Sequence, residues 1–224
     1  MPAARESLLD AAYTALTARP WSEIRMVEVA AAAGVSRQTL YNEFGSKDGL
    51  ARALVRRETD NYLAGVARVL ARGGTGRSTT HRDGPARVVA AAAWTLRTAR
   101  ANPLVRAALT GCWGDRLPAA AAAAEPAPGE LVGRFCAQAV AALEPDWPAE
   151  ELPALGTACE TAARLTLSCV VAPPAPVPSG TAPPGRVPAQ RARRDQEAEA
   201  VSRLVRGAFG RSAGDGTQEA ARRG

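Results

Sequence analysis

Apolar residues recur every three or four positions through most of the chain, the spacing of helices that bury one face. From Arg5 to Ala18 the stripe is Leu8, Leu9, Ala12, Tyr13 and Leu16, and Pro20 ends it. A short second helix reads from about Met26 to Ala33, with Met26, Val29, Ala30 and Ala33 inward, and Gly34 stops it. Ser36 is placed to cap a third helix through Phe44, with Leu40 and Phe44 inward, before Gly45. Ser46 caps a long fourth helix to about Arg72, with Asp48 in its first turn. The run Gly73–Thr80 is loop by composition, and helical patterns resume at about 84–101, 103–113, 128–144 and 149–172. The Ala/Pro-rich stretch 117–129 is expected to be mobile. Residues 172–188 hold seven prolines (173, 174, 176, 178, 183, 184 and 188) and read as an extended linker. A last amphipathic helix over about 190–209 carries Ala198, Val201, Val205 and Phe209 on one side, a stripe that a monomer would leave partly exposed. Residues 211–224 read as a disordered tail. The expected fold is all-α with about nine helices: a three-helix head over 1–46, a helical body over 47–210, and the tail.

Composition supports the helical reading. Hydrophobic residues reach 46% but aromatics only 4%, so alanine, the best helix former and a poor strand former, carries much of the apolar fraction. No apolar run approaches the ~20 residues a membrane helix needs, and Met1–Glu6 does not read as the start of a signal peptide, so a soluble, cytoplasmic protein is expected. The 224 residues carry a net charge of +6, and Lys47 is the only lysine. That excess is unevenly spread. Residues 1–50 hold five basic side chains against six acidic ones, whereas residues 51–100 hold ten arginines against three acids. Net charge therefore does not by itself point to nucleic acid. Cys112, Cys136, Cys159 and Cys169 contain no Cys-x-x-Cys pair and lie far from the single histidine, His81. No metal or cofactor is expected, and the thiols read as reduced and mostly buried.

The chemistry concentrates in residues 29–50, VAAAAGVSRQTLYNEFGSKDGL. A short helix, a glycine turn and a second helix with a polar outer face form the helix-turn-helix pattern, with Val35 filling the angle between the two. Leu40 and Phe44 anchor the second helix, leaving Arg37, Gln38, Thr39, Tyr41 and Asn42 outward. Arginine and glutamine can make bidentate contacts to base edges in a major groove. Hydroxyls, helix N-termini and Lys47 suit phosphate oxygens.

Over residues 5–55 this head resembles the tetracycline-repressor (TetR) family of transcriptional regulators. The resemblance implies Arg37 and Gln38 for base readout, with Ser36 at the start of the recognition helix. It implies Thr39 and Tyr41 for phosphate or sugar, Asn42 for a base or backbone position, and Lys47 for a phosphate. Two positions depart from the family pattern. Arg25 opens the second helix where threonine is usual, keeping a phosphate-binding charge but capping poorly. Glu43 stands where a neutral or basic residue is common, so it must point away, pair with an arginine, or accept from a cytosine amine. The family also implies a homodimer through about 149–172 and 190–209, two heads reading half-sites about one DNA turn apart on an operator, and a small-molecule effector in the body. Candidate pocket residues are Trp94, Arg97, Thr98, Leu104, Ala108, Leu109, Cys112, Trp113, Phe135, Cys136, Thr166 and Cys169, a lining suited to a flat apolar molecule bearing an anion. The expected function is a one-component regulator, a repressor released by its effector.

Other classes fit less well. His81 lies in a Gly/Arg/Thr loop with no acid placed to orient it, and Gly73–Thr79 lacks the lysine and preceding strand of a phosphate loop, so no enzyme is expected. A regulator sensing oxidation at Cys112, Cys136 or Cys169 requires two close thiols or one exposed thiol of low pKa. A degenerate helical ligand-binding protein that no longer binds DNA would accord with Glu43 and the acidic head.

Overall fold

The computed structural model describes residues 2–72, 84–118, 126–172 and 199–209. Among them the order is α1 (Pro2–Ala18), a 3-10 turn (Trp21–Glu23), α2 (Met26–Ala32), α3 (Arg37–Phe44), α4 (Lys47–Arg72), α5 (Gly84–Ala101) and α6 (Pro103–Thr110). Then come α7 (Pro128–Leu143), 3-10 turns at Glu144–Asp146 and Ala149–Glu151, α8 (Leu152–Val171) and α9 over 199–209. The described residues contain no strand, as the alanine-rich periodicity requires. The Gly73–Thr80 loop, His81, most of the proline-rich linker, residues 190–198 of the last expected helix and the 211–224 tail lie outside the described residues, as do 119–125 of the Ala/Pro-rich stretch.

The chain divides into two compact units, one of residues 1–62 with 102–131, the other of 63–101 with 132–224. The boundary expected at 46/47 falls within the first of these units, where α4 begins. α4 starts at Lys47 as a single helix, and the unit that holds the head also holds α6.

In the first unit, Leu8, Leu9, Ala12 and Leu16 of α1 are buried with Val29, Ala30, Leu40, Leu50, Leu54 and Val55 from α2–α4, and Leu104 of α6 joins the same core. The sequence reading anticipated the inward faces; it did not anticipate the Trp21–Glu23 turn, whose buried indole belongs to that core. α6 stops at Thr110 rather than continuing to 113, because Gly111 adopts a left-handed backbone (φ 72°) and its N–H donates to the Ala107 carbonyl at 2.8 Å. Beyond that stop, Trp113 and Leu117 pack against the core, and the Trp21 N–H donates to the Arg116 carbonyl at 2.9 Å. At the other end of α6, the Asn102 side-chain oxygen accepts from the Leu104 and Val105 N–H groups while its amide donates to the buried Glu58 carboxylate at 2.7 Å.

In the second unit, α5 and α8 run in contact, and their buried faces mix alanines (Ala91, Ala92 and Ala99; Ala158, Ala162 and Ala163) with Val88, Leu96, Leu155 and Val170. Small side chains let two helix backbones approach closely. The buried Arg87 guanidinium donates to the Leu70 and Ala142 carbonyls, both at 2.7 Å, and meets Asp146 at 3.3 Å, tying α4, α5 and α7 at their ends. Of the stripe expected to be partly exposed on the last helix, Val201 and Val205 are covered, Phe209 is half-buried and Ala198 lies outside the described residues. Val201, Val205 and Ala208 are buried, and Phe209 lies 6.2 Å from the Trp147 ring.

Candidate nucleic-acid interface

The turn between α2 and α3 is closed by two backbone bonds. The Val35 N–H donates to the Ala30 carbonyl at 3.0 Å and the Gly34 N–H to Ala31 at 3.1 Å. Gly34 holds φ 68°, the left-handed value that this helix ending needs, and Val35 packs on the core. Ser36 then caps α3 by accepting from the Thr39 N–H at 3.0 Å. The exit is as tight: Gly45 ends α3, Ser46 accepts from the Gly49 N–H, and a Cβ on Gly49 would lie 1.9 Å from the Phe44 carbonyl oxygen. With Leu40 fully buried, α3 has one orientation on the head.

That orientation leaves Arg37, Gln38, Thr39 and Asn42 exposed and Tyr41 half-buried. The face is organised by its own contacts: Gln38 donates to Asn42 at 2.7 Å, the Ser36 and Thr39 hydroxyls meet at 2.8 Å, and the Arg37 guanidinium sits 5.3 Å from the Tyr41 ring centre. These are weak, solvent-facing contacts that a ligand can replace. Lys47 differs. Its Nζ donates to the Ser22 carbonyl at 3.1 Å and lies 5.6 Å from the Trp21 ring centre, and burial there pulls its pKa below the ordinary lysine value. In the free protein it therefore holds the Trp21 turn. Arg25 stands at the start of α2 with extended backbone and no side-chain cap, as its chemistry predicts. Its guanidinium donates to Glu28 at 2.7 Å, yet the side chain stays 76% exposed.

Four of the six acids in residues 1–50 meet an arginine. Glu28 receives both Arg25 and Arg19, whose hydrogen bonds lower its carboxyl pKa, in that order. Glu6 and Asp10 meet Arg57 at 3.6 and 2.7 Å. Glu43, the departure from the family pattern, is bonded by Arg5 at 2.7 Å. Asp48 sits in the first turn of α4, where the helix dipole favours it. Sequence reading missed Arg5, and no local signal marks it, because its partner is 38 residues away.

Two short helices locked at a glycine turn, the second presenting a polar face with a neutralised flank, define a helix-turn-helix head of the DNA-binding class. Residues 8–54 match the family of bacterial regulatory proteins, tetR family. That match covers the head, less than a quarter of the chain. It is 50% identical over 62 residues to the HTH-type transcriptional regulator AlkX of Mycobacterium tuberculosis, covering 28% of this chain and 29% of that protein. It is 48% identical over 56 residues to the uncharacterized HTH-type transcriptional regulator Rv1255c of the same organism, covering 25% of this chain and 28% of the relative. The matched stretch thus spans less than a third of the length of these curated relatives. Fold likeness extends further. The crystal structure of the TetR family repressor AlkX from Dietzia sp. strain DQ12-45-1b, implicated in biodegradation of n-alkanes, superposes with TM-score 0.55 at 24% identity, covering 92% of this chain and 97% of that one. A tetR-family regulator from Streptomyces coelicolor gives TM-score 0.52 at 18% identity, covering 93% and 79%.

The expected effector-pocket residues do not fall in one unit. Leu104, Ala108, Leu109, Cys112 and Trp113 belong to the first; Trp94, Arg97, Thr98, Phe135, Cys136, Thr166 and Cys169 belong to the second. Leu104 and Trp113 serve the head core, and Cys112 and Arg97 are exposed. Thr166 is buried, its hydroxyl donating to the Ala162 carbonyl within α8. Trp94 packs across Gly65 of α4. A cleft of about 770 Å³ in the first unit lies between α1 and α2, lined mainly by alanines with Asp10, Arg19 and Glu28 among its polar residues. None of the pocket candidates lines that cleft. None of the four cysteines forms a disulfide; burial pushes Cys159 up to about 12, and burial followed by the charge of Glu160 raises Cys136. Those shifts oppose thiolate reactivity. Among the described residues no group of three or more His, Cys, Asp or Glu side chains could hold a metal ion, and no helix is long and apolar enough to cross a membrane.

Proposed function

We propose that this protein is a one-component transcriptional repressor that binds a palindromic operator as a homodimer and is released by a small-molecule effector. The observation that carries the DNA reading is the outer face of α3, where Arg37, Gln38, Thr39 and Asn42 stand exposed on a helix bounded by the Gly34 and Gly45 turns. In that reading Arg37 and Gln38 contact base edges, and Ser36, Thr39, Tyr41, Asn42 and Arg25 serve the flanking backbone. Lys47 reaches a phosphate with the N–H donors that its bond to Ser22 leaves over. The repressor sense draws on the Dietzia relative, which is described as one. Dimerisation through α8 and the last helix, and an effector site in the body, draw on the family. Exposed Val171 and Leu204 are the large apolar side chains those two helices would bring to a partner.

The test is fluorescence anisotropy on duplexes enriched from a random pool by the protein itself, at two salt concentrations, with light scattering for mass. A palindromic consensus, steep salt dependence and a dimeric mass are expected. Arg37→Ala and Gln38→Ala each cost about 1–3 kcal/mol on that site and relax its sequence preference. Binding without sequence preference, unchanged by both substitutions, overturns the reading.

A further inference from the structure

The salt bridge between Arg5 and Glu43 joins two residues that each sit at the unfavourable end of their own helix. Arg5 lies in the first turn of α1, which carries no acid there, and Glu43 lies in the last turn of α3, which carries no base there. The positive end of a helix dipole disfavours the guanidinium, and the negative end disfavours the carboxylate. Local helix chemistry thus argues against both residues, and only the fold brings them to 2.7 Å. Arg5 has a second contact: its guanidinium lies 4.9 Å from the ring centre of Phe44, the residue that follows Glu43 and closes α3. Both side chains are partly exposed, 40% for Arg5 and 29% for Glu43, and a pair so placed contributes little to stability. What it changes is charge. Glu43 is the only acid in α3, one position beyond exposed Asn42 on the helix that carries the readout face.

We propose that Arg5 acts on DNA recognition through Glu43: its bridge cancels the carboxylate that the recognition helix would otherwise present to a phosphate backbone. The proposal rests on the DNA-binding reading above. It accounts for a head whose acids outnumber its bases, since the one acid on the reading helix approaches DNA already paired. It also makes the neutral pair and the native pair equivalent for binding, while the carboxylate alone is harmful. A direct phosphate contact by Arg5 would give a different pattern.

The experiment compares the unchanged protein with Arg5→Gln, Glu43→Gln and the double variant Arg5→Gln/Glu43→Gln. Anisotropy is read on a duplex the unchanged protein has selected, at two salt concentrations, with a thermal melt of each variant. Arg5→Gln weakens binding about three- to five-fold per head at low salt and less at high salt, because one carboxylate now faces the backbone through screened solvent. Glu43→Gln tightens binding, and the double variant returns to within about two-fold of the unchanged protein, whatever small change the melts record. A double variant as weak as Arg5→Gln overturns the proposal, since Arg5 would then be contacting DNA or supporting the fold directly. An Arg5→Gln protein that binds as before also overturns it. If the unchanged protein selects no duplex, the DNA-binding reading itself fails, and that arm is read before any variant.

Discussion

Replacing Asn102 by alanine removes two functions of one side chain. The side-chain oxygen caps α6, accepting from the Leu104 N–H at 3.0 Å and the Val105 N–H at 3.2 Å. The amide donates to Glu58 Oε2 at 2.7 Å, and Glu58, buried with only 8% exposure, has Arg57 as its other partner. Arg57 in turn reaches Asp10 of α1 at 2.7 Å, so the chain of bonds runs from α1 through α4 to the start of α6. Burial works against the Arg57 charge, yet Glu58 and Asp10 hold its pKa above the ordinary arginine value. Loss of an asparagine cap costs about 1 kcal/mol. Loss of a hydrogen bond to a buried carboxylate costs about 1.5–3 kcal/mol. Asn102→Ala is therefore expected to destabilise the first unit by about 2–4 kcal/mol. Urea unfolding followed by far-UV circular dichroism measures the loss, and hydrogen exchange at the Leu104 and Val105 amides localises it. Asn102→Asp separates the two functions: the cap survives, but two carboxylates face each other, so the variant should recover part of its loss on acidification. A loss below about 0.5 kcal/mol for Asn102→Ala, with unchanged exchange at α6, refutes the reasoning.

Three further outcomes follow from named contacts. A Cβ at Gly65 would lie 2.3 Å from the Trp94 indole, so Gly65→Ala should displace that ring and cost about 1–2 kcal/mol net of the helix propensity alanine brings; tryptophan emission should shift, and the shift should vanish in a Trp94→Phe background. Glu28 has its carboxyl pKa lowered by Arg25 and Arg19, so its stabilisation is present above the usual carboxylate range and is lost as pH falls through the lowered value; the stability gap between the native protein and Glu28→Gln should shrink on acidification, and a gap that widens would contradict the pairing. Alkylation of the folded protein near neutral pH, read by peptide mass, should modify exposed Cys112 first, half-buried Cys136 more slowly, and Cys159 only after unfolding, since burial holds its thiol up at about 12; equal rates at Cys112 and Cys159 would mean that α8 opens readily.

The local signals in the sequence were enough for the helices of the head and for the face that α3 presents. Leu8, Leu9, Ala12 and Leu16 on α1 and Leu40 on α3 are buried as their spacing requires. Ser36 and Ser46 cap, and Gly34 with Val35 closes the turn, because these interactions act over three to five residues, within reach of a sequence pattern. The end of α6 at Gly111 went unread, since the apolar pattern continues through Trp113 and only the backbone reveals the left-handed stop. The stripe of the last helix read as an interface because periodicity shows that a face is apolar and not what covers it; Val201 and Val205 are buried, and Phe209 lies beside Trp147. The pocket candidates were taken from one face of the 84–101 helix and from the helices after it, and they fall in both units. Glu43 posed a choice the sequence left open, and its partner is Arg5, 38 positions away. Asn102 meets Glu58 across 44 positions, and Trp21 takes the carbonyl of Arg116. Such pairings depend on where the chain path returns, which many small packing energies decide together. The sequence by itself determined the helices of the head, the turn chemistry and the exposed polar face of α3; tertiary structure alone decided which charges cancel and which apolar faces are covered.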